Sequence, residues 1–308
     1  MAEEPAPAGP APTAMRHEPM GMPARTDIVL MATAVLGVST SAPLIAATAA
    51  PALAIAFWRN ALAVAVTGPA VLLRFRPELG SLRRREWLLS ALAGVFLAGH
   101  FATWVPSVKL TTVASATALV CTQPIWAAVL ASLAGRRVAR GAWVAIAIGV
   151  LGAVLVTGAD VSISSRAVTG DVLALAGGVF AAAYVTAGGA SRRSVSTTVY
   201  TTVAYSVCAL VLLLMCVIGG QRLIGYDGDT WARLVALTVA AQLIGHSLIN
   251  RVLATTSATV ASLALLLEVP GAAILAAIFL HQRPPASALP GLGLVLVGLG
   301  LTVRSGTR

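Results

Sequence analysis

Two side chains of opposite charge stand inside long apolar segments of this 308-residue chain, and they are its first candidates for chemistry. Glu268 lies in the segment LLLEVPG, two residues before Pro270. A charge at the centre of a bilayer costs at least about 2.5 kcal/mol, so such a residue faces the interior of a helix bundle and usually has a partner. Glu268 is therefore a candidate proton-coupling or cation-binding group. The alternative is a structural carboxyl held by neighbouring Ser or Thr side chains.

Arg59, in the segment AFWRNALA, is the cationic candidate. A guanidinium matches the geometry of a carboxylate or a phosphate, so Arg59 could bind an anionic group of a substrate. Two structural roles are the alternatives: the side chain extends to the outer lipid headgroups, or it pairs with Glu268. Trp58, which precedes it, is expected to anchor the helix at the membrane interface or else to form a cavity wall.

Further polar side chains in apolar segments could supply the few convergent polar groups of a mostly apolar cavity. His100 and His246 are most simply hydrogen-bonded packing residues, and the alternatives are proton relay or substrate contact. They lack other ligands at metal-binding spacing, so we predict no metal site. The remaining candidates are Trp104, Asn250, Gln123, Tyr184 and Tyr205.

Proline is expected to break two of the helices that carry these residues. It has no backbone N–H, so Pro270 would leave the carbonyl of Leu266 without its helical partner. Gln123 stands beside Pro124 much as Glu268 stands near Pro270. Each break is therefore predicted to have a polar side chain beside it at membrane depth.

Composition indicates the class of protein that positions these residues. Hydrophobic residues make up 58% of the chain and charged residues 10%, whereas a soluble domain is about 25% charged. This composition argues against a soluble enzyme, a secreted disulfide scaffold and a nucleic-acid-binding domain. The cysteines, Cys121, Cys208 and Cys216, lie in apolar segments without a CxxC pair, and we expect them to be inert. We predict an all-α polytopic membrane protein.

Apolar segments of roughly 20 residues, long enough to cross a bilayer, recur along the chain. We predict ten transmembrane helices, at 27–48, 52–73, 87–107, 111–134, 141–157, 170–190, 197–219, 231–250, 256–280 and 286–303. The first five and the last five form two repeats, over 27–157 and 170–303, joined by a linker at 158–169. Residues 1–26, rich in proline, are predicted to be a disordered cytoplasmic tail, and 304–308 a short one.

Basic residues indicate the orientation, because they collect on the cytoplasmic side of a membrane protein. With the N-terminus inside, 15 Arg or Lys residues fall in the cytoplasmic segments and 4 in the outer segments. Both termini are therefore predicted to be cytoplasmic in a multi-pass protein of the cell membrane. The net charge of +10 is mainly this orientation signal, so we expect no nucleic-acid partner.

An internal repeat relates the two halves. GHFATWVPSVKLTTVASATALVCTQP, residues 99–124, aligns without a gap with GHSLINRVLATTSATVASLALLLEVP, residues 245–270, at an offset of 146. The equivalent pairs include His100 and His246, Trp104 and Asn250, Pro124 and Pro270, and Gly152 and Gly298. Because five is an odd number, the second half would enter the membrane in the opposite sense. Inverted repeats are typical of secondary transporters, whose substrate site lies near the midplane between the repeats.

The repeated segments resemble a known family. A short polar turn (KLTTVAS, ATTSATVAS), an apolar helix interrupted by proline and a glycine-rich closing helix are similar to EamA-type transporters of the drug/metabolite transporter (DMT) superfamily. The resemblance implies a ten-helix transporter of small metabolites with a central cavity, usually working without ATP. The family often has Gly-Glu-Arg after the proline-containing helix, whereas this chain has GRR at 135–137 and HQR at 281–283. Any role of that glutamate therefore cannot be transferred here.

Two functions are compatible with these features. The first is a secondary transporter of amino acids or related metabolites, with export favoured as the commonest role in the family, driven by a proton or substrate gradient because no phosphate-binding loop is present. The alternative is an efflux protein in which Glu268 binds a lipophilic cation and Trp58 and Trp104 stack on it. An intramembrane lipid-modifying enzyme is a remote third, since no HExxH or GxSxG motif occurs. We expect no enzyme activity and no cofactor; the expected partners are a small-molecule substrate, membrane lipid and a second copy in a homodimer.

Overall fold

The computed structural model describes residues 25–135, 140–161, 164–192, 194–246, 248 and 267–305. This part of the chain is helical almost throughout and contains no β-strand, so the all-α prediction is confirmed for it. The α-helices are α1 (Arg25–Ser39), α2 (Ser41–Ala47), α3 (Ala52–Arg74), α4 (Arg76–Ser81), α5 (Arg84–Leu110), α6 (Val113–Val120), α7 (Gln123–Leu133), α8 (Arg140–Val161), α9 (Ser165–Ser191), α10 (Thr197–Ile218), α11 (Gly228–Leu237), α12 (Glu268–Phe279) and α13 (Leu289–Ser305). A π-helix, Thr238–His246, continues α11, and a 3₁₀ turn, Ala286–Ala288, precedes α13.

Six helical segments of the described residues are long and apolar enough to cross a membrane. They are Ile28–Ala47, Ala52–Arg74, Arg84–Leu110, Val113–Leu133, Ser165–Ser191 and Thr197–Ile218. Three shorter apolar helices are Arg140–Val156, Glu268–Phe279 and Ala286–Leu301. The protein is therefore a multi-pass membrane protein, and the number of ten crossing helices stays a prediction.

The predicted boundaries differ from the structure near the tail and the linker. Helix α1 begins at Arg25, inside the predicted tail, most of which lies outside the described residues. Helix α8 continues to Val161 and α9 begins at Ser165, so helix occupies most of the predicted linker.

Several helices start at a polar residue whose side chain accepts the backbone N–H of the residue three positions later. These N-caps are Thr112, Ser164, Ser196 and Asp227.

The helix break predicted at Pro124 is present, and both prolines of the repeated segment lie in the first turn of the helix that follows. Pro124 is the second residue of α7, after a turn that separates α6 from α7. Pro270 lies in the first turn of α12. The first N–H groups of a helix have no intrahelical partner, so proline costs no hydrogen bond there. Leu266, whose carbonyl was predicted to be unpaired, lies outside the described residues.

Helices α8 and α13, which close the two halves, cross at glycines that are equivalent in the repeat. A Cβ atom on Gly152 would lie 2.5 Å from the backbone N of Val295, and one on Gly298 would lie 2.5 Å from that of Gly149. The contacted residues, at positions 149 and 295, are themselves equivalent at the offset of 146. The contacts fall from 298 to 295 as they rise from 149 to 152 along α8, so the two helices are antiparallel. This is a local two-fold relation between equivalent helices.

The glycine of each repeated Gly-His pair also lies at a close helix contact. A Cβ atom on Gly99 of α5 would lie 2.8 Å from the Phe180 ring of α9. A Cβ atom on Gly245 of the π-helix would lie 2.8 Å from Cγ1 of Val38 in α1. Small residues allow helices to approach closely in lipid, where packing is a main source of association. Each glycine therefore sets the distance of the histidine beside it from the neighbouring helix.

Hydrogen bonds between helix ends group them into two faces. On one, the Glu78 carboxylate of α4 accepts the backbone N–H of Ser196 at 2.6 Å; we call it the arginine-rich face, from Arg74, Arg76, Arg83, Arg84, Arg85 and Arg192 in the α3–α5 and α9–α10 connections. On the opposite face, Lys109 at the end of α5 donates to the carbonyl of Thr48 at 2.5 Å. The loop before α11 belongs to that face. At the end of this loop the Asp227 carboxylate accepts the backbone N–H of Thr230, which holds the pKa of that carboxyl below its ordinary value. Alternating connections are thus separated, as a multi-pass topology requires.

Candidate functional site

A cavity of about 410 Å³ lies inside the helix bundle, between segments of both halves of the chain. Eight of the ten side chains predicted from the sequence line it: Arg59, His100, Trp104, Gln123, Tyr184, Tyr205, His246 and Glu268. The cavity also reaches Arg192, the exposed residue that ends α9 on the arginine-rich face. No residue of the loop before α11 lines it. The cavity therefore extends from the bundle interior toward the arginine-rich face.

Two of the predicted residues are not placed on this cavity. The indole N–H of Trp58 donates to the carbonyl of Leu223 at 2.8 Å, and its ring packs edge-on against Trp231 at 4.8 Å. Trp58 thus attaches α3 to the loop before α11, on the face opposite the arginines, and does not form a cavity wall. Asn250, the repeat equivalent of Trp104, lies outside the described residues.

Arg59 is 1% exposed, so the alternative in which its side chain extends to the outer headgroups is wrong. Its Nε donates to Oε1 of Gln242 at 2.7 Å and its Nη1 to Oγ of Ser41 at 3.3 Å. Its guanidinium carbon lies 4.4 Å from the centre of the Phe101 ring. Within the described part of the chain no ion pair joins Arg59 to Glu268. Hydrogen bonds and an aromatic face thus compensate the buried charge of Arg59. Neither lipid headgroups nor the Glu268 carboxylate does so in the described structure.

Gln242 is the residue of this network that the sequence analysis missed. It lies on the π-helix, is buried, and its amide donates to Oδ1 of Asn60 at 3.3 Å while its oxygen accepts from Arg59. The scarcity of polar side chains in the segment TVAAQLIGH would have identified it by the argument used for Glu268. Ser41, Tyr200 and Arg192 also line the cavity and were not predicted.

The two repeat-related histidines have different environments. Nδ1 of His100 lies 3.0 Å from the carbonyl oxygen of Gly177, which can only accept, so Nδ1 carries the proton in this contact. The His100 ring also stacks on Trp104, with centroids 5.6 Å apart and planes at 16°. His246 is exposed and lines the cavity. His100 is a hydrogen-bonded packing residue at the cavity wall, while His246 presents its ring to the space inside.

Glu268 is the first residue of α12, half-buried, and lines the cavity. The N-terminus of a helix favours a carboxylate, because its free N–H groups and dipole are positive there. No Ser or Thr among the described residues hydrogen-bonds to it, so the structural alternative, a carboxyl held by such side chains, has no support within this part of the chain. Its repeat equivalent is Thr122, whose hydroxyl donates to the carbonyl of Leu119 at 2.6 Å. The acidic group therefore occurs in one half only.

The end of the cavity near the arginine-rich face is aromatic. The rings of Tyr184 and Tyr200 stack with centroids 6.4 Å apart. Gly188 makes room for this pair, since a Cβ atom there would lie 2.1 Å from the Tyr200 hydroxyl oxygen. Cys121 also lines the cavity and is half-buried, whereas Cys208 and Cys216 are buried; that the three cysteines are inert stays a prediction.

Replacing Gln242 by Leu is expected to destabilise the protein by about 1–3 kcal/mol, because it leaves a buried guanidinium without its Nε acceptor. The double variant Arg59→Met/Gln242→Leu is expected to recover most of that loss, since an apolar pair of similar volume replaces a buried polar pair at little cost. Unfolding in detergent micelles measures both. A double variant no more stable than Gln242→Leu would contradict this account of Arg59.

Comparisons with known proteins agree with this architecture. The model of the EamA-like transporter family matches residues 26–158 and 168–304. No curated protein matches the sequence. Among solved structures 15 chains match; one, described only as "Crystal structure of protein", is 19% identical, with 90% of this chain and 96% of that chain covered and a TM-score of 0.62. At that identity the likeness shows the fold alone, whereas the family match extends over both halves: the chain belongs to the EamA-like transporter family, in the DMT superfamily.

Proposed function

We propose that this protein is a secondary transporter that moves amino acids or related carboxylate-bearing metabolites by alternating access. The observation that carries the proposal is the cavity of about 410 Å³ between the two halves, where Arg59, Glu268 and the two histidines of the repeat meet. Members of a transporter family bind small molecules in such sites, and the cavity has the size of a small-ligand pocket. Export is the direction we favour, from the commonest role of the family.

The architecture we propose is ten helices in two inverted five-helix repeats, over residues 27–157 and 170–303. The antiparallel contact of α8 with α13, between equivalent glycines, supports it. The close contacts at Gly99 and Gly245 also support it, because they relate α5 and α9 as the π-helix is related to α1. Both termini are proposed to be cytoplasmic, which makes the arginine-rich face the cytoplasmic one.

The charges on the cavity wall support a substrate that carries a carboxylate. Arg59 and Arg192 are cationic, and Glu268 is the single carboxylate on the described lining. This balance attracts an anionic group to the arginine-rich end and leaves Glu268 for a proton or an ammonium group. A lipophilic cation, the substrate class of the alternative, would meet a net positive wall. Its support is the aromatic lining, Trp104, Tyr184 and Tyr200, on which such a cation could stack.

Transport in proteoliposomes separates the two substrate classes. With an imposed pH gradient, purified protein is expected to accumulate members of a labelled amino-acid panel severalfold over protein-free liposomes, and to leave labelled tetraphenylphosphonium at the control level. The variant Arg192→Gln is expected to raise the KM for the amino acid and to leave the KM for a neutral substrate analogue unchanged, because the arginine-rich end of the cavity loses a cation. Accumulation of the phosphonium without any amino acid would favour the drug-efflux alternative instead.

A further inference from the structure

On the face opposite the arginines, two cations hold the end of α2. Helix α2 ends there at Ala47, and the carbonyls of the last turn of any helix lack intrahelical partners. Three consecutive carbonyls at this end accept hydrogen bonds from cations. Lys109 Nζ donates to Thr48 at 2.5 Å and to Ala46 at 3.3 Å, and Arg233 Nη1 donates to Ala47.

The two cations come from different halves of the chain. Lys109 is in the last turn of α5, and Arg233 is on α11, where it also pairs with Asp229 at 2.6 Å. Cations are favourable at a helix C-terminus, where the helix dipole is negative. The end of α2 is thus bound to one helix of each half, and Thr48 beneath the cations is buried.

The repeat does not reproduce the two cations of this contact at the equivalent positions. At the offset of 146, Arg233 is equivalent to Trp87 and Lys109 to Thr255, and neither is charged. The end of α2 is equivalent to the chain just after Ser191, beside Arg192, where the cavity reaches the arginine-rich face. In sequence, the two cations therefore belong to one face alone, whereas Arg192, at the equivalent end of the second half, lines the cavity.

We propose that Lys109 and Arg233 form a latch that holds α2 against α5 and α11, and that its release opens the cavity to the face opposite the arginines. This inference rests on the proposed function, since alternating access requires each face to open in turn. The hydrogen bonds of the latch are charge-assisted and exist only in the closed arrangement, so they bias a two-state equilibrium. Removing one of the two cations shifts the population toward the open state.

Lys109 is the only lysine of the chain, which permits a test without any substrate. In phosphatidylcholine nanodiscs, which contain no lipid amines, the N-hydroxysuccinimide ester of acetic acid acetylates Lys109 only when its Nζ leaves the carbonyls. Peptide mass spectrometry gives the rate, with the amino terminus of the same chain as an internal standard. Arg233→Met is expected to raise the Lys109 rate about tenfold, the effect of one lost charge-assisted hydrogen bond on the open population. Loss of a neighbouring positive charge alone would slow the reaction.

Arg222→Met is the matched control, because Arg222 lies in the loop before α11 and donates to Ile224 and Gly225 within that loop. It is expected to leave the Lys109 rate unchanged. Arg233→Gln, which keeps a donor without the charge, is expected to give an intermediate rate and replaces the Met variant if that one does not fold. An unchanged Lys109 rate in both Arg233 variants, or an equal rise in Arg222→Met, overturns the latch. A latch that passes this test in a protein that transports nothing would disprove the proposed function and not the latch.

Discussion

Replacing Glu268 by Gln is expected to abolish the coupling of transport to a pH gradient while leaving the protein folded. Gln has nearly the same shape and stays compatible with the start of α12, but it cannot exchange a proton. A transporter that moves one proton per substrate can accumulate the substrate up to about tenfold per pH unit, because one unit corresponds to 1.36 kcal/mol. The accumulation ratio at a gradient of one unit is expected to fall from that range to about one, with downhill flux retained.

Glu78→Gln is the matched control for this experiment. Glu78 is a half-buried carboxylate on the arginine-rich face, away from the described cavity lining, where it accepts the backbone N–H of Ser196 at 2.6 Å. The amide oxygen of Gln can accept the same hydrogen bond, so coupling is expected to remain. If accumulation in Glu268→Gln still followed the pH gradient, Glu268 would be a structural carboxyl and the proton would have to be carried elsewhere.

The scarcity of polar residues in the apolar segments is enough to find most of the polar side chains of the cavity lining from the sequence. Arg59, His100 and Glu268 could be named because a polar side chain at membrane depth must face the bundle interior. The same reasoning fails for Trp58, since an indole can satisfy its N–H on a loop carbonyl near the surface as easily as inside. It names candidates for a cavity without distinguishing them from residues that attach one element to another.

The partners of those residues could not be predicted in the same way. Gln242 is 183 positions from Arg59 in the chain, and no local pattern pairs the two. The hydrogen-bond acceptors of the latch are backbone carbonyls at the end of α2. Every residue has a backbone carbonyl, so the composition of the sequence does not reveal these acceptors. The π-helix that carries Gln242 and His246 could not be predicted either, because TVAAQLIGH is as apolar as an α-helical segment. Tertiary packing decides these features.

Adding one methyl group at Gly298 is expected to destabilise the protein by about 3 kcal/mol, the upper part of the range for overpacking. The Cβ atom of Gly298→Ala would lie 2.5 Å from the N and 2.6 Å from the Cα of Gly149, and 2.9 Å from the carbonyl oxygen of Ala145. All three are backbone atoms of α8, which cannot move aside as a side chain can. The two helices must therefore separate along their contact, where glycines permit the close approach.

Gly293→Ala provides the opposite result on the same helix. A Cβ atom there has open space around it within 4 Å, so the substitution is expected to stabilise α13 by up to about 1 kcal/mol through helix propensity. Gly152→Ala is expected to match Gly298→Ala, since the two glycines are equivalent and each meets backbone of the other helix. Thermal unfolding in one detergent compares the three variants. Equal effects at 293 and 298 would contradict the close crossing, and a neutral effect at 152 would contradict the two-fold relation between α8 and α13, on which the inverted repeat rests.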